Sequence, residues 1–153
     1  MKIVIQRVLE AKVEVDQQVV GKIEHGLMIL VGIEAGDTKN DIALAARKLS
    51  AMRIFDDSEG VMNLSIKDVG GSILSISQFT LAADIRKGNR PSYSKAMSAD
   101  EADMLYEQLN QTLREDGIHV ETGRFQTHMN VSLNNDGPVS IIMILKDGKI
   151  QSI

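Results

Sequence analysis

The second of the chain's two prolines lies in Asn134-Asn135-Asp136-Gly137-Pro138-Val139-Ser140, between two stretches that otherwise read as β-strands. A proline has no N–H to give to a sheet ladder, so this position belongs to an edge, a bulge or a special turn. Gly137-Pro138 and Arg90-Pro91 are also the two peptide bonds at which the cis form is cheap, about 0.5–1 kcal/mol above trans, where other residues need several. The spacing predicts a turn over Asn-Asn-Asp-Gly-Pro, with cis geometry open to it.

Around this turn the chain alternates strand and helix signals. Residues 2–9, 11–16 and 19–24 are short β-rich runs, and Asp16-Gln17-Gln18 makes a turn between the last two. Residues 27–33 are continuously apolar around Gly32, as in a strand covered on both faces. Ile42, Ala45, Ala46, Leu49 and Met52 recur at helical spacing, with Asp37 or Thr38 placed to cap the start. A second helix is signed by Ser98 and Glu101 as a capping box, by the stripe Ala102, Leu105, Tyr106, Leu109 and Leu113, and by Gly117 after its end. Further strands are expected at 118–121, about 125–133 and 139–145, the last two bracketing the proline turn. The chain shows no internal repeat and no low-complexity segment. At 153 residues and 43% hydrophobic it suits one α/β domain over residues 1–153.

Composition removes several chemistries. With no cysteine, disulfides, thiol catalysis and cysteine metal sites are excluded, and a cytoplasmic setting fits. Gln6 and Arg7 interrupt the first apolar run, and the longest apolar stretch falls far short of the roughly 18 residues a membrane span needs, so neither export nor membrane insertion is expected. A net charge of −4 argues against coating nucleic acid through a globally basic surface, so any RNA contact is local. His25, His119 and His128 are widely separated, with no second histidine or cysteine at ligand spacing. No metal and no cofactor are expected, and no triad is recognisable. Thr80 offers a hydroxyl, but a threonine nucleophile needs an adjacent base, and none is near in sequence. It stands either as a covalent nucleophile served by a base brought in through folding, or as a positioning residue at a strand end.

Ser77-Gln78-Phe79-Thr80-Leu81 ends the apolar run 73–76 and precedes the basic segment Arg86-Lys87-Gly88-Asn89-Arg90-Pro91. Together with Gln6-Arg7-Val8, Arg53-Ile54-Phe55, Met62-Asn63-Leu64-Ser65, Asp68-Val69-Gly70-Gly71, Glu121-Thr122-Gly123-Arg124-Phe125 and Gly137-Pro138, this motif resembles the D-aminoacyl-tRNA deacylase family almost end to end. The resemblance implies a three-layer α/β fold with mixed β-sheets, two main helices and a homodimer. It implies hydrolysis of the ester between a D-amino acid and the terminal adenosine of tRNA, with glycine mischarged on alanine tRNA as a further substrate. In such enzymes the neighbouring ribose 2′-OH assists the attack, which suits a chain so poor in acid–base groups. The protein then supplies placement and an oxyanion site, for which the backbone N–H groups around Ser77, Gln78, Phe79 and Thr80 are candidates.

Selecting D over L is the harder task, because both forms carry the same groups. A thousandfold preference requires about 4 kcal/mol, whereas a methylene's worth of pocket fit gives about 1–3 kcal/mol. A rigid backbone projection aimed where the L side chain points is the stronger device. The resemblance gives that role to a cis Gly137-Pro138 inserted into the partner subunit's active site, with Arg7 holding the motif in place. A guanidinium suits this because it donates several hydrogen bonds in fixed geometry, although Arg7 also fits an ordinary strand face. Phe79, Phe125 and Met129 are candidates for holding adenine, since an aromatic face or a thioether meets a base without reading sequence. Phe125 fits a core position as well. Arg86, Lys87, Arg90 and Lys95 form either a footprint for acceptor-stem phosphates or a solvated loop. Ser140, Tyr93 and Gln126-Thr127-His128 depart from the residues usual in the family. The alternative to an editing esterase is a non-catalytic module that captures aminoacyl-tRNA or RNA ends.

Overall fold

The computed structural model describes residues 1–152. In chain order its elements are β1 (Lys2–Val15), β2 (Gln18–Ile23), β3 (Gly26–Gly32), α1 (Lys39–Ala51), β4 (Phe55–Asp56), β5 (Met62–Leu64) and β6 (Ser72–Ser77). A 3₁₀ turn over Phe79–Ala82 follows, then α2 (Ala99–Glu115), β7 (His119–Thr122), β8 (Asn130–Lys146) and β9 (Lys149–Gln151). One seven-stranded sheet runs β7-β6-β3-β1-β8-β9, with β2 also paired to β1, and β4 and β5 form a separate ribbon. β3, β6 and β7 are mutually parallel, while β1 pairs antiparallel with each of its neighbours.

Residues 2–9 and 11–16, expected as two runs, are one strand. In β1 the inward positions Ile3 and Ile5 give way to Ala11, Val13 and Val15, and the alternation slips where Arg7 and Val8 are both buried and Leu9 and Glu10 both face out. At that slip β3 ends as a partner of β1 and β2 takes over. Asp16 and Gln17, both at positive φ (49° and 64°), make the tight connection that hairpin twist favours. The sheet curls, and two clusters of apolar side chains fill its faces. Ile3, Ile5, Ile29, Val31 and Ile73 pack against α1 and α2, while Val8, Val13, Met28, Leu74 and Ile76 lie under the curled half of β1 and β2.

Both helices lie on the expected stripes. Thr38 caps α1 with Asp41 as its reciprocal partner, and Ile42, Ala45, Ala46 and Leu49 are buried. Leu105, Tyr106, Leu109 and Leu113 are buried on α2, whose end is closed at Gly117 by a bond from Ile118 N–H to Leu113 O of 3.2 Å. The Ser98 hydroxyl differs from the expected capping box: it donates to the Glu101 carboxylate instead of accepting from the helix backbone.

Two further expectations are corrected. Residues 134–138 are not a hairpin turn between two strands; they lie within β8, a single strand of 17 residues. Gln6 pairs with Ser140 and Val8 with Asn135, so four residues of β8 stand opposite the single residue Arg7. Asp136 to Val139 therefore leave the ladder as a wide bulge, where a proline without an N–H forfeits no sheet bond. The Gly137-Pro138 peptide is cis. The other correction concerns Phe125, which precedes β8 in a loop: the Thr127 hydroxyl donates to Arg124 O, and Gln126 at φ 58° turns the chain before Asn130 enters the sheet. Among the described residues no helix is long and apolar enough to cross a membrane.

Candidate active site

Ser77 ends β6 paired with Val31 near the end of β3, and Gln78 follows beyond the sheet. Gln78 N–H donates to Val31 O at 2.7 Å, the last bond before the chain folds into the 3₁₀ turn. Leu81 N–H returns to Gln78 O at 3.2 Å and Ala83 N–H to Thr80 O at 3.1 Å. The amides of Phe79 and Thr80 open this turn, where no earlier turn supplies an acceptor, and neither has a backbone partner among the described residues. Close approach of the turn depends on Gly32. A Cβ there would lie 2.7 Å from Leu81 Cβ and 3.0 Å from Gln78 O. From the other side Lys2 Nζ donates to Leu81 O at 3.1 Å while pairing with Glu34 at 3.0 Å.

A cavity of about 630 Å³ opens against this turn. Ser77, Gln78 and Phe79 form one wall, the loop from Phe125 to Met129 another, and Ile33, Met97, Ala99 and Ala102 close the floor toward α2. Phe79 is 58% exposed and meets Tyr93 edge-on, with centroids 5.1 Å apart. Met129 lies across Gly123, where an added Cβ would overlap its sulfur. The Thr80 hydroxyl is spoken for locally, accepting a short hydrogen bond from the Gln78 side-chain amide. The lining mixes apolar side chains with Ser77, Gln78, Gln126, Thr127 and His128, and the amides of Phe79 and Thr80, without backbone partners beside it, suit placement and oxyanion stabilisation.

Gly137, Pro138 and Arg7 are not among the residues lining this cavity. Arg7 is 5% exposed beneath the β8 bulge. Its Nε donates to Asp136 O at 3.1 Å, and a terminal nitrogen donates to Ile54 O at 2.8 Å and to Asp56 Oδ1 at 3.2 Å. The neck of the bulge is closed by Asn135, whose Oδ1 accepts from Val139 N–H at 2.8 Å and whose Nδ2 donates to Val139 O at 3.3 Å. Gly137 and Pro138 stand exposed at its tip.

In the basic segment, Asp84 and Ser92 exchange backbone bonds of 2.8 and 3.0 Å and close the neck of an exposed loop. Lys87 and Arg90 are exposed on it. Arg86 is engaged by Asp84, whose carboxyl its guanidinium holds far below the usual carboxylate range, so its charge is partly offset on the surface.

Residues 4–144 match the family described as D-Tyr-tRNA(Tyr) deacylase. The chain belongs to this family. It is 52% identical over 143 residues to a D-aminoacyl-tRNA deacylase of Halalkalibacterium halodurans, covering 94% of this chain and 98% of the relative. It is 52% identical over 147 residues to one of Bacillus pumilus, covering 96% of this chain and all of the relative. Among solved structures, one described as a c-Myc DNA unwinding element binding protein superposes with a TM-score of 0.90 at 34% identity, covering 95% of this chain and 99% of that one. A "probable eukaryotic D-amino acid tRNA deacylase" shares the fold, with a TM-score of 0.80 at 16% identity over 92% of this chain and 97% of that one. The curated relatives are named as deacylases, hydrolases that act on ester bonds, and the chain is an enzyme of that kind.

Within this deacylase-family chain the fold gathers Ser77, Gln78, Phe79, Phe125 and Met129 around one cavity, with Thr80 just behind its wall. Sequence reasoning missed Asn135, Met97 and Gly32 as shaping residues. Asn135 carried a signal, since an asparagine before Asp-Gly-Pro is suited to bonding nearby backbone. Met97 carried none, because its place depends on Met97 N–H reaching Ile33 O across the chain. His128, one of the residues that depart from those usual in the family, lines the cavity.

Proposed function

We infer that this chain hydrolyses the ester of D-aminoacyl-tRNA, releasing the free D-amino acid and tRNA, and that it acts on glycine mischarged on alanine tRNA as well. The observation that carries the inference is the cavity itself: the turn that holds the Phe79 and Thr80 amides, both without backbone acceptors, stands beside a recess walled by Phe79, Phe125 and Met129. Adenine of the tRNA terminus lies against Phe125 and Met129, and the ester carbonyl lies at the amides of Phe79 and Thr80. The ribose 2′-OH assists attack of water on that carbonyl. The bond to the ribose oxygen breaks, and the developing oxyanion is held by backbone N–H groups, each worth about 10²–10³ in rate. Thr80 positions the turn and forms no covalent intermediate. Lys87 and Arg90 contact phosphates of the acceptor stem.

The active form is a cytoplasmic homodimer in which Gly137-Pro138 of one subunit enters the cavity of the other and rejects L-amino acids by steric exclusion. Support for this comes from the exposed bulge tip, its firm anchorage on Arg7 and Asn135, and its separation from the cavity of its own chain. The nucleic-acid-binding name of the 34% identical structure favours a second reading, a module that binds RNA ends without turnover. Release of amino acid from D-tyrosyl-tRNA and L-tyrosyl-tRNA by metal-free protein, against the spontaneous rate, separates the two. Fast loss of the D form with the L form spared supports the esterase. Binding without acceleration of either supports the module.

A further inference from the structure

Behind the Phe125 wall, one backbone carbonyl ties two parts of the cavity together. Ser75 O, two residues before Ser77 on β6, accepts the Tyr106 hydroxyl at 2.7 Å and Gly123 N–H at 3.3 Å. Those two bonds occupy both lone pairs of the carbonyl. Tyr106 stacks on Phe125 with centroids 6.4 Å apart and planes 30° from parallel, while Gly123 is the residue across which Met129 lies. Tyr106 is 2% exposed on α2, so its ring is held by packing and its orientation by the hydroxyl bond. Nothing in its position reaches the cavity directly.

We propose that Tyr106 is a positioning residue for the base-holding wall: its hydroxyl, donated to Ser75 O, fixes the ring against which Phe125 is set for the terminal base of the substrate. The proposal rests on the deacylase reading for the identity of that base. Phe125 meets the base equally in ground and transition states, so loosening it weakens binding without slowing the bond-breaking step.

Tyr106→Phe keeps the ring and removes only the hydroxyl. With D-tyrosyl-tRNA, the expected result is a KM raised about fivefold, the scale of one net hydrogen bond, with kcat within about twofold of wild type. On a Phe125→Ala background, Tyr106→Phe adds nothing further, because it acts through Phe125. A merely structural role predicts the opposite split, a smaller active fraction with kcat lowered and KM unchanged. Affinity for adenosine monophosphate, measured by calorimetry on wild type, each single variant and the double variant, repeats the cycle without turnover. If wild type binds the nucleotide but hydrolyses no D-aminoacyl-tRNA, the deacylase reading fails while the cycle still decides the role of Tyr106. Unchanged nucleotide affinity in Tyr106→Phe, additive effects in the double variant, or no nucleotide binding by wild type overturns the proposal.

Discussion

Arg7 Nε donates to Asp136 O across 3.1 Å, from a guanidinium on β1 to the residue at which β8 leaves its ladder. The same side chain reaches Ile54 O, so one buried fork spans the bulge and the segment before β4. Arg7→Ala leaves those carbonyls without donors and is expected to lower unfolding free energy by about 2–3 kcal/mol, read from the urea midpoint. Arg7→Lys, a point charge in place of a planar fork, should recover less than half of that. If the bulge tip is the chiral filter, both variants hydrolyse L-tyrosyl-tRNA faster relative to the D form than wild type does. A variant with lost stability and an unchanged D/L ratio would separate Arg7 from selectivity.

Thr80→Ala removes a hydroxyl that accepts from Gln78 and leaves the backbone amides in place. Deacylation of D-tyrosyl-tRNA is expected to fall by less than about tenfold, the scale of one neutral hydrogen bond. Loss of turnover to the spontaneous rate in a folded variant would instead make Thr80 the nucleophile.

Gly32→Ala pushes a methyl into Leu81 and Gln78 O, which moves the turn that presents the amides. A drop in kcat of about 10²-fold is expected, since misplacement by about an ångström is enough to forfeit that much. Gly123→Ala meets the flexible end of Met129 and, at 3.3 Å, the tip of Ile76, with no backbone in its way, and should raise KM with kcat little changed. Steady-state kinetics on the two variants tests whether turn and wall are separable.

Acid stability should report Asp41. Burial works against its carboxylate, but bonds from Gly148 N–H at 2.9 Å and from Thr38 N–H and hydroxyl outweigh it and hold the pKa below the ordinary value. A carboxyl with a depressed folded pKa contributes stability above its unfolded pKa, about 3.9, and loses it as pH falls through the folded value. Asp57, Asp68 and Asp116 are shifted the same way by hydrogen bonds. Denaturation midpoints should therefore fall below about pH 4, and Asp41→Asn should flatten that fall while lowering stability at neutral pH. An unaltered acid slope in Asp41→Asn would remove Asp41 from this account.

What was legible in the sequence followed from periodicity and caps. The α2 stripe from Leu105 to Leu113 and the apolar run of β3 are local signals, and the fold keeps both. The continuity of β1 was hidden because Leu9 and Glu10 face out where the strand changes partners, a change set by two other strands. Pro138 hid the continuity of β8: a proline in a strand reads as a break unless β1 is known to resume pairing on both sides. The Ser77 to Thr80 motif was visible, but the cavity around it needs Met97 ahead of α2, Ala102 on α2 and the Phe125 loop, brought together only by tertiary packing.

The Gly137-Pro138 tip is an interruption inside a paired strand, unlike the end of a free loop. Its ladder resumes at Asn135 on one side and Ser140 on the other, and its neck is shut by Asn135. Such a segment has no cheap opening of its own, because releasing it means breaking the β1–β8 ladder on both sides of it. It behaves as a fixed peg and not as a lid, so its shape stays the same from one catalytic cycle to the next. If the tip is the chiral filter proposed above, selectivity is lost when the β1–β8 ladder opens and not by a local loosening of the tip.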